Sequence, residues 1–223
     1  MPRVIRTDEI AIDTDRGDSR MLIATPARPH AAVLLGHGAG GGLDSFDLTA
    51  LATELPPRGI AVARYEQPWR TAGKKIAGAP ASLDAAWAFA LEEVHHRWPR
   101  IPVYVGGHSA GARIACRCFA EPAVGVIALS FPLHPPGKPE KSRLDELTAV
   151  TGPVLVVQGE RDPFGSASDV RSALPRRGRR RQVVEVPAAG HSLQPGKRSD
   201  PDGAAQLIVD SVATFILAEQ PRC

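Results

Sequence analysis

Gly107-His108-Ser109-Ala110-Gly111 carries the strongest indication of the fold in this chain. It matches the pattern G-x-S-x-G, in which a serine occupies a tight turn between a strand and a helix. The apolar run at 101–106 is typical of a buried strand, and the segment at 112–119 suits a short helix. The two glycines remove side chains that would clash in such a turn, where the serine backbone is forced to a positive φ. The pattern therefore predicts a serine hydroxyl raised above a sheet, beside the amide of Ala110 at the start of a helix.

Apolar runs and helix-like segments alternate on both sides of this turn. Strands are expected at 9–13, 20–25, 31–35, 60–65, 101–106, 125–131, 153–158 and 182–186. Helices are expected at 46–55, 82–98 with Ser82 as N-cap, 112–119, 142–150, 168–174 and 201–218. This alternation predicts an α/β fold with a mostly parallel sheet, helices on both faces and an antiparallel hairpin at one edge. No linker or internal repeat interrupts it, so residues 1–223 are expected to form a single domain.

A glycine-rich loop at 36–42 follows the apolar run at 31–35. Such a loop can bind phosphate, but no Lys-Ser or Lys-Thr pair follows, as a Walker-type loop requires. It can also supply a backbone donor to an oxyanion, and Ala39 is then the expected donor. A loop that is merely flexible remains the alternative. His37 is interpreted as a structural hydrogen-bonding residue rather than a base.

Two further residues complete a set that serine chemistry requires. Asp162 follows the strand expected at 153–158, and His191 follows the last expected strand. Because Ser109 also follows a strand, all three should emerge at the C-terminal edge of one parallel sheet. A serine hydroxyl is a poor nucleophile at neutral pH and needs an adjacent base whose tautomer is fixed by a third group. His191 is interpreted as the base and Asp162 as its orienting partner, with an ordinary turn aspartate as the alternative.

Composition limits the classes of function. The 223 residues include 43% hydrophobic and 23% charged residues, with a net charge of +3, which is ordinary for a soluble globular protein. The basic run at 176–181 is interpreted as a solvated loop, with an anion-binding patch as the alternative. No stretch reaches the roughly 18 apolar residues of a membrane span. Neither a nucleic acid nor a membrane is therefore expected as a partner.

The three cysteines are Cys116, Cys118 and Cys223. An odd number without framework spacing favours a reducing compartment, so a cytoplasmic location is expected. Cys116 and Cys118 are two positions apart on an expected helix and would face different directions, which argues against a metal pair. Neither a metal nor a cofactor is expected.

The chain resembles the small, lidless members of the α/β-hydrolase superfamily. It is similar to the dienelactone-hydrolase-like group, and more closely to the predicted hydrolases that include testis-expressed and chromatin-complex hydrolase-like proteins. The stretches that carry the resemblance are 37–41, 107–111, 131–138, 159–165 and 190–192. Dienelactone hydrolases use cysteine as the nucleophile, whereas position 109 is serine in this chain. The resemblance implies a three-layer α/β-hydrolase fold without a lid domain.

The expected function is that of a serine hydrolase that cleaves carboxylic esters or thioesters of small molecules through an acyl-enzyme. The amides of Ala39 and Ala110 would form its oxyanion hole. Without a lid, the loops at 65–69, 131–137 and 163–164 must form the pocket, and the stretch 66–80 is a candidate for a wall of the site. The residues expected to contact the substrate are Tyr65, Trp69, Leu133, His134 and Phe164.

Two other functions are considered. A non-catalytic hydrolase-like module for protein interaction is the main alternative, and a complete triad argues against it because a pure scaffold does not need one. A peptidase is a third interpretation, which the lack of a propeller or large cap in the sequence disfavours. The sequence leaves the oligomeric state open.

Overall fold

A computed structural model describes residues 5–175, 180–196 and 199–219 of the chain. Within them, eight strands form one sheet, namely β1 (Ile5–Ile12), β2 (Ser19–Pro26), β3 (Ala31–Gly36), β4 (Ile60–Glu66), β5 (Val103–His108), β6 (Ala123–Leu129), β7 (Val154–Gly159) and β8 (Arg181–Val186). The order across the sheet is β1-β2-β4-β3-β5-β6-β7-β8. β1 pairs antiparallel with β2, β2 pairs antiparallel with β4, and all other pairs are parallel. The predicted edge hairpin and mostly parallel sheet are confirmed.

Helices cover both faces of the sheet. They are α1 (Phe46–Glu54), α2 (Pro68–Thr71), α3 (Pro80–Arg97), α4 (Ala110–Arg117), α5 (Leu144–Ala149), α6 (Ala167–Ala173) and α7 (Pro201–Glu219), with a 3-10 turn at Pro56–Arg58. Buried side chains of α1 and α7 pack on one face with Leu35, and those of α3 to α6 pack on the other with Leu34. Leu34 and Leu35 are adjacent in β3 but face opposite sides of the sheet, because side chains alternate along a strand. The three-layer α/β-hydrolase architecture is confirmed.

Proline sets the start of two helices differently from the sequence prediction. α3 begins at Pro80, with Ala79 rather than Ser82 as its N-cap. The stretch 66–80, expected to be a loop, contains the four-residue α2, which begins at Pro68. Proline suits the first position of a helix because the N–H that it lacks has no intrahelical partner there.

The connection between β6 and β7 contains the six-residue helix α5. No lid domain is present in the ranges that the structure describes, as the spacing predicts. None of the helices in those ranges is long and apolar enough to cross a membrane.

The basic run at 176–181 lies partly outside the described residues, which include only Arg180 and Arg181 of it. Arg180 donates a hydrogen bond to Glu219 at the end of α7, over 3.1 Å. Arg181 donates to the carbonyl oxygens of Gly152 and Val150, over 2.9 and 2.6 Å. These two arginines therefore make structural contacts at the start of β8. Cys223 lies outside the described residues.

The turn between β5 and α4 is tightly constrained. Ser109 has φ 51° and ψ −105°, a conformation that strains any residue with a Cβ. Its N–H donates to the carbonyl oxygen of Leu129 in β6 over 2.8 Å. A Cβ on Gly107 or Gly111 would overlap the carbonyl oxygen of Gly36 in β3. The two glycines therefore allow the turn and α4 to lie directly against the neighbouring strand.

Replacing Gly111 by alanine should destabilise the protein, because the added methyl group would overlap the backbone of Gly36 in the centre of the sheet. The free energy of unfolding, measured by urea denaturation, should fall by about 1–3 kcal/mol, the usual cost of overpacking. Gly40→Ala is the matched control, since a Cβ there would meet no described atom within 4 Å. Equal stability of the Gly111→Ala and Gly40→Ala variants would contradict the packing of this turn.

Candidate active site

Ser109 is presented at the C-terminal edge of the sheet by the end of β5 and the first turn of α4. Ser109 is the N-cap of α4, and its carbonyl oxygen accepts the first hydrogen bond of the helix, from the N–H of Arg113 over 3.1 Å. Its side chain is only partly buried and lines an open cavity. The hydroxyl is thus accessible from solvent while the backbone that carries it is fixed.

The structure brings Ser109, His191 and Asp162 into one chain of hydrogen bonds. His191 lies after β8 and Asp162 after β7, as predicted. The Nε2 atom of His191 is 2.8 Å from the Oγ of Ser109. The Nδ1 atom of His191 is 2.8 and 3.1 Å from the two carboxylate oxygens of Asp162. Because Asp162 accepts, Nδ1 carries the proton and Nε2 is left to accept from the serine hydroxyl.

Asp162 is buried, with 4% of its surface exposed. Its Oδ1 accepts from the N–H of Phe164 over 2.9 Å, and its Oδ2 accepts from Nε2 of Gln158 over 2.9 Å. The same amide of Gln158 donates to the carbonyl oxygen of Gly165 over 2.7 Å. These bonds fix the carboxylate that faces His191. Sequence reasoning missed Gln158, because nothing in an apolar strand marks which polar side chain turns towards the site.

Ala39 and Ala110, the two residues expected to supply oxyanion donors, both lie beside Ser109. Ala110 is the first residue of α4, so its N–H has no partner within the helix. Ala39 lies in the loop after β3, and both alanines line the same cavity as Ser109. A Cβ on Gly38 would lie 3.5 Å from the Cβ of Ser109, so this loop passes close to the serine. The loop is therefore close enough to take part in binding an oxyanion.

A family model described as "Alpha/beta hydrolase domain" matches residues 29–217. The chain belongs to the α/β-hydrolase family. Residues 29–217 include all three members of the hydrogen-bonded set as well as Ala39 and Ala110.

Solved structures of α/β-hydrolases share this fold. An α/β serine hydrolase homologue from Coxiella burnetii has a TM-score of 0.75 at 17% identity, covering 94% of this chain and 99% of that chain. A serine hydrolase without a lid, XC6422 from Xanthomonas campestris, has a TM-score of 0.73 at 19% identity, covering 94% and 95%. Dienelactone hydrolase from Anabaena variabilis has a TM-score of 0.74 at 18% identity, covering 96% and 98%. At these identities the likeness concerns the fold.

The cavity in front of Ser109 has a volume of about 800 Å³. Of the five residues expected to contact substrate, Phe164 lines it, and its ring packs on that of His191 with centroids 4.2 Å apart. Tyr65 does not: it is fully buried in β4 and donates to the carbonyl oxygen of Ala86 over 3.1 Å. This residue is corrected from a pocket residue to a core residue.

Three other expected pocket residues are also corrected. Trp69 is 8% exposed and packs on the ring of His37, with centroids 5.5 Å apart. Leu133 is buried against Gly165. His134 does not line the cavity, and its N–H donates to the carbonyl oxygen of Phe164, which does, over 3.1 Å.

The stretch 66–80 does not wall the cavity of Ser109. It borders a separate depression of about 300 Å³, together with Arg16 and Leu83. The position of α2 explains this, since Pro68 starts the helix directly after β4 and directs the chain towards the hairpin of β1 and β2. The expectation for this loop is corrected accordingly.

His37 has the structural role expected of it. Its Nδ1 lies 2.8 Å from the carbonyl oxygen of Gly38, and its Nε2 accepts from the N–H of Gln67 over 3.2 Å. Burial lowers its pKa, which favours the neutral ring that this pair of bonds requires. His37 thus joins the glycine-rich loop to the end of β4.

A second aspartate–histidine pair lies beside the hydrogen-bonded set of Ser109, His191 and Asp162, and sequence reasoning missed it. The Nδ1 of His108 is 2.7 Å from the Oδ2 of Asp47 at the start of α1. The ring of His108 lies edge-on to that of His191, with centroids 5.3 Å apart. Asp47 and His108 are far apart in the sequence, so only the fold brings them together.

Burial and charge act in opposite directions on this pair. Burial alone lowers the pKa of His108, but the charge of Asp47 and the hydrogen bond to it raise the pKa above its usual value. Burial alone raises the pKa of Asp47, but the charge of His108, together with hydrogen bonds from His108, Ser45 and Leu48, holds it below its usual value. The pair is therefore stabilised in its charged form.

The described residues contain no group of three His, Cys, Asp or Glu side chains that could hold a metal ion.

Replacing Asp47 by asparagine should make stability less dependent on pH. The raised pKa of His108 adds stability that is fully present below pH 6.5 and lost as pH rises through the folded-state value. The lowered pKa of Asp47 adds stability present above pH 3.8 and lost in acid. In urea denaturation, Asp47→Asn should therefore cost about 1–3 kcal/mol near pH 6 and distinctly less at an alkaline pH above the folded-state pKa of His108.

His96→Gln is the control for this experiment, because it removes an exposed histidine of α3. Its stability should follow that of the wild type across the whole pH range. A loss in the Asp47→Asn variant that is equal at both pH values would contradict the charged pair.

Proposed function

We propose that the protein is a serine hydrolase that cleaves carboxylic esters or thioesters of small molecules through an acyl-enzyme. The observation that carries the proposal is the continuous hydrogen-bond chain from Ser109 through His191 to Asp162. A serine held against a base, with the base held against a buried carboxylate, is the arrangement that nucleophilic catalysis by serine requires. Membership of the α/β-hydrolase family supports the same chemistry.

In the acylation step, the Oγ of Ser109 attacks the carbonyl carbon of the ester as Nε2 of His191 accepts the hydroxyl proton. Asp162 stabilises the imidazolium that forms. The negative charge on the carbonyl oxygen is stabilised by the amides of Ala39 and Ala110, and one such donor is worth about 3–4 kcal/mol. As the tetrahedral intermediate collapses, the bond to the alcohol or thiol breaks and His191 returns its proton to the leaving group.

The deacylation step repeats these roles with water. His191 takes a proton from a water molecule, whose oxygen attacks the acyl group on Ser109. Collapse of the second intermediate returns the proton to Ser109 and releases the acid. The open cavity supports this step, because water can reach the acyl group without a lid having to open. The odd cysteine count extends the proposal to a reducing, cytoplasmic setting.

The alternative of a non-catalytic interaction module finds less support. A binding surface gains nothing from a strained serine backbone, which costs of order 1–3 kcal/mol. It also gains nothing from a buried carboxylate that is aimed at a histidine. Loss of activity in folded variants of the triad separates the two functions.

Ser109→Ala should lower kcat/KM for p-nitrophenyl acetate by at least about a thousandfold, because no other described group takes the place of the nucleophile. His191→Ala should be nearly as severe and Asp162→Asn milder. Since a triad acts as a unit, the Ser109→Ala/His191→Ala double variant should lose little more than the worse single variant. Ser172→Ala, on the exposed side of α6, is the control with unchanged activity.

Circular dichroism and thermal unfolding verify that each variant is folded. A Ser109→Ala protein that is folded and retains activity within a few-fold of the wild type would refute the serine mechanism. Losses that simply add in the double variant would show that the two residues do not cooperate.

A further inference from the structure

The cavity in front of Ser109 is rich in positive charge. Three cationic side chains line it, from His108, Arg113 and Arg143, against one acidic side chain, from Asp44. Asp44 is exposed, and its charge acts on Arg64. A cation that already has a counter-charge within the protein is less able to bind an anionic ligand, so the pairing of each of the three matters.

Two of the three are paired with carboxylates. His108 is bound to the buried Asp47 over 2.7 Å. Arg113 forms two parallel hydrogen bonds with Glu146, of 2.8 and 2.5 Å. Within the described ranges, Arg143 has no carboxylate at ion-pairing distance, although it lines the same cavity.

Arg143 is nevertheless held in a defined position by the backbone. Its Nη1 donates to the carbonyl oxygen of Pro132 over 3.1 Å, and its backbone N–H donates to the carbonyl oxygen of Leu133 over 2.7 Å. Pro132 also lines the cavity. A guanidinium has five N–H donors, and in the described part of the chain only this one of them has a hydrogen-bond partner. The remaining donors are free to bind a ligand in the cavity.

The surroundings of Arg143 disfavour its charge. Burial lowers its pKa, the nearby charge of Arg113 lowers it further, and Glu146 raises it in part. Arginine stays protonated in proteins all the same. An anion that enters the cavity would therefore relieve the repulsion between the two guanidinium groups and complete the hydrogen bonding of Arg143.

We propose that Arg143 binds a carboxylate of the substrate while Ser109 attacks an ester carbonyl of the same molecule. The preferred substrates are then esters that carry an acidic group, such as monoesters of small dicarboxylic acids. This inference rests on the hydrolase function proposed above and names the substrate class of that site. One guanidinium edge matches the two oxygens of one carboxylate. A doubly charged phosphate would need a second free cation, and Arg113 and His108 are already paired.

The size of the site agrees with such substrates. A cavity of about 800 Å³ is within the usual range for small-molecule sites. The apolar part of its wall, which includes Phe46 and Phe164, can cover the methylene groups that join the two ends of a dicarboxylic acid monoester.

Monomethyl adipate and methyl hexanoate form a matched pair of probes, because a carboxylate in the first replaces a methyl group in the second. We expect the wild type to hydrolyse the charged ester with a kcat/KM at least about tenfold higher. Arg143→Gln should reduce this ratio by about tenfold or more, and Arg143→Lys should restore part of it. The control Arg100→Gln removes an exposed arginine ahead of β5, at the opposite edge of the sheet, and should leave the ratio unchanged.

The two proposals fail in different ways. If methyl hexanoate is hydrolysed by the wild type and not by Ser109→Ala, the hydrolase function stands. In that case, an equal ratio of kcat/KM for the two esters in the wild type and in Arg143→Gln overturns the carboxylate site. If the wild type and Ser109→Ala do not differ in their rate of hydrolysis of either ester, the hydrolase function is wrong. NMR titration with adipate then tests the site without turnover. Binding about tenfold weaker in Ser109→Ala/Arg143→Gln than in Ser109→Ala supports it, and equal binding overturns it.

Discussion

The close approach of the turn at Ser109 to strand β3 is the constraint on which the rest of the site depends. Gly107 and Gly111 leave room for the carbonyl oxygen of Gly36, and α4 can therefore start directly at the sheet. The strained backbone of Ser109 follows from this packing, since its N–H is also held by β6. With the serine fixed, the loops after β3, β7 and β8 need only reach the same end of the sheet to bring Ala39, Asp162 and His191 close to it.

Much of this arrangement could be predicted because it follows from local pattern and parallel topology. A residue directly after a strand of a parallel sheet lies at the C-terminal edge whatever its distance in sequence, which is why Asp162 and His191 could be placed beside Ser109. The glycine pattern can be recognised without the fold because it is a short contiguous motif with a strand before it and a helix after it. The clash that its glycines avoid, with Gly36 of β3, becomes visible only in the structure.

The residues that line the pocket were harder to predict from the sequence. The strand that holds Tyr65 is buried on both faces, so alternation does not reveal which side chains face the core and which face a cavity. Tyr65 turned out to be core, and a proline-initiated helix directed Trp69 away from the site. The pair formed by Asp47 and His108 depends on how α1 packs against β5, and Gln158 depends on the course of the loop after β7. Such contacts become visible only when the elements are assembled.

Most basic side chains of the site are paired with carboxylates in a regular way. Asp162 faces His191, Asp47 faces His108, and Glu146 faces Arg113, so each of these three basic side chains has a carboxylate that the protein itself supplies. The ring of His108, paired with Asp47, lies edge-on to the ring of His191. Specificity in the cavity then depends on the cation that the protein leaves without a carboxylate partner among the described residues, Arg143.

The central claim, that Ser109 forms a covalent acyl-enzyme, is tested most directly by peptide mapping with mass spectrometry. The protein is mixed with p-nitrophenyl acetate, quenched with acid during turnover and digested. The account predicts an acetyl group on the peptide that contains Ser109, in the wild type and not in a Ser109→Ala protein. Turnover accompanied by an acetyl group on a different residue, or by an adduct that persists in Ser109→Ala, would contradict it.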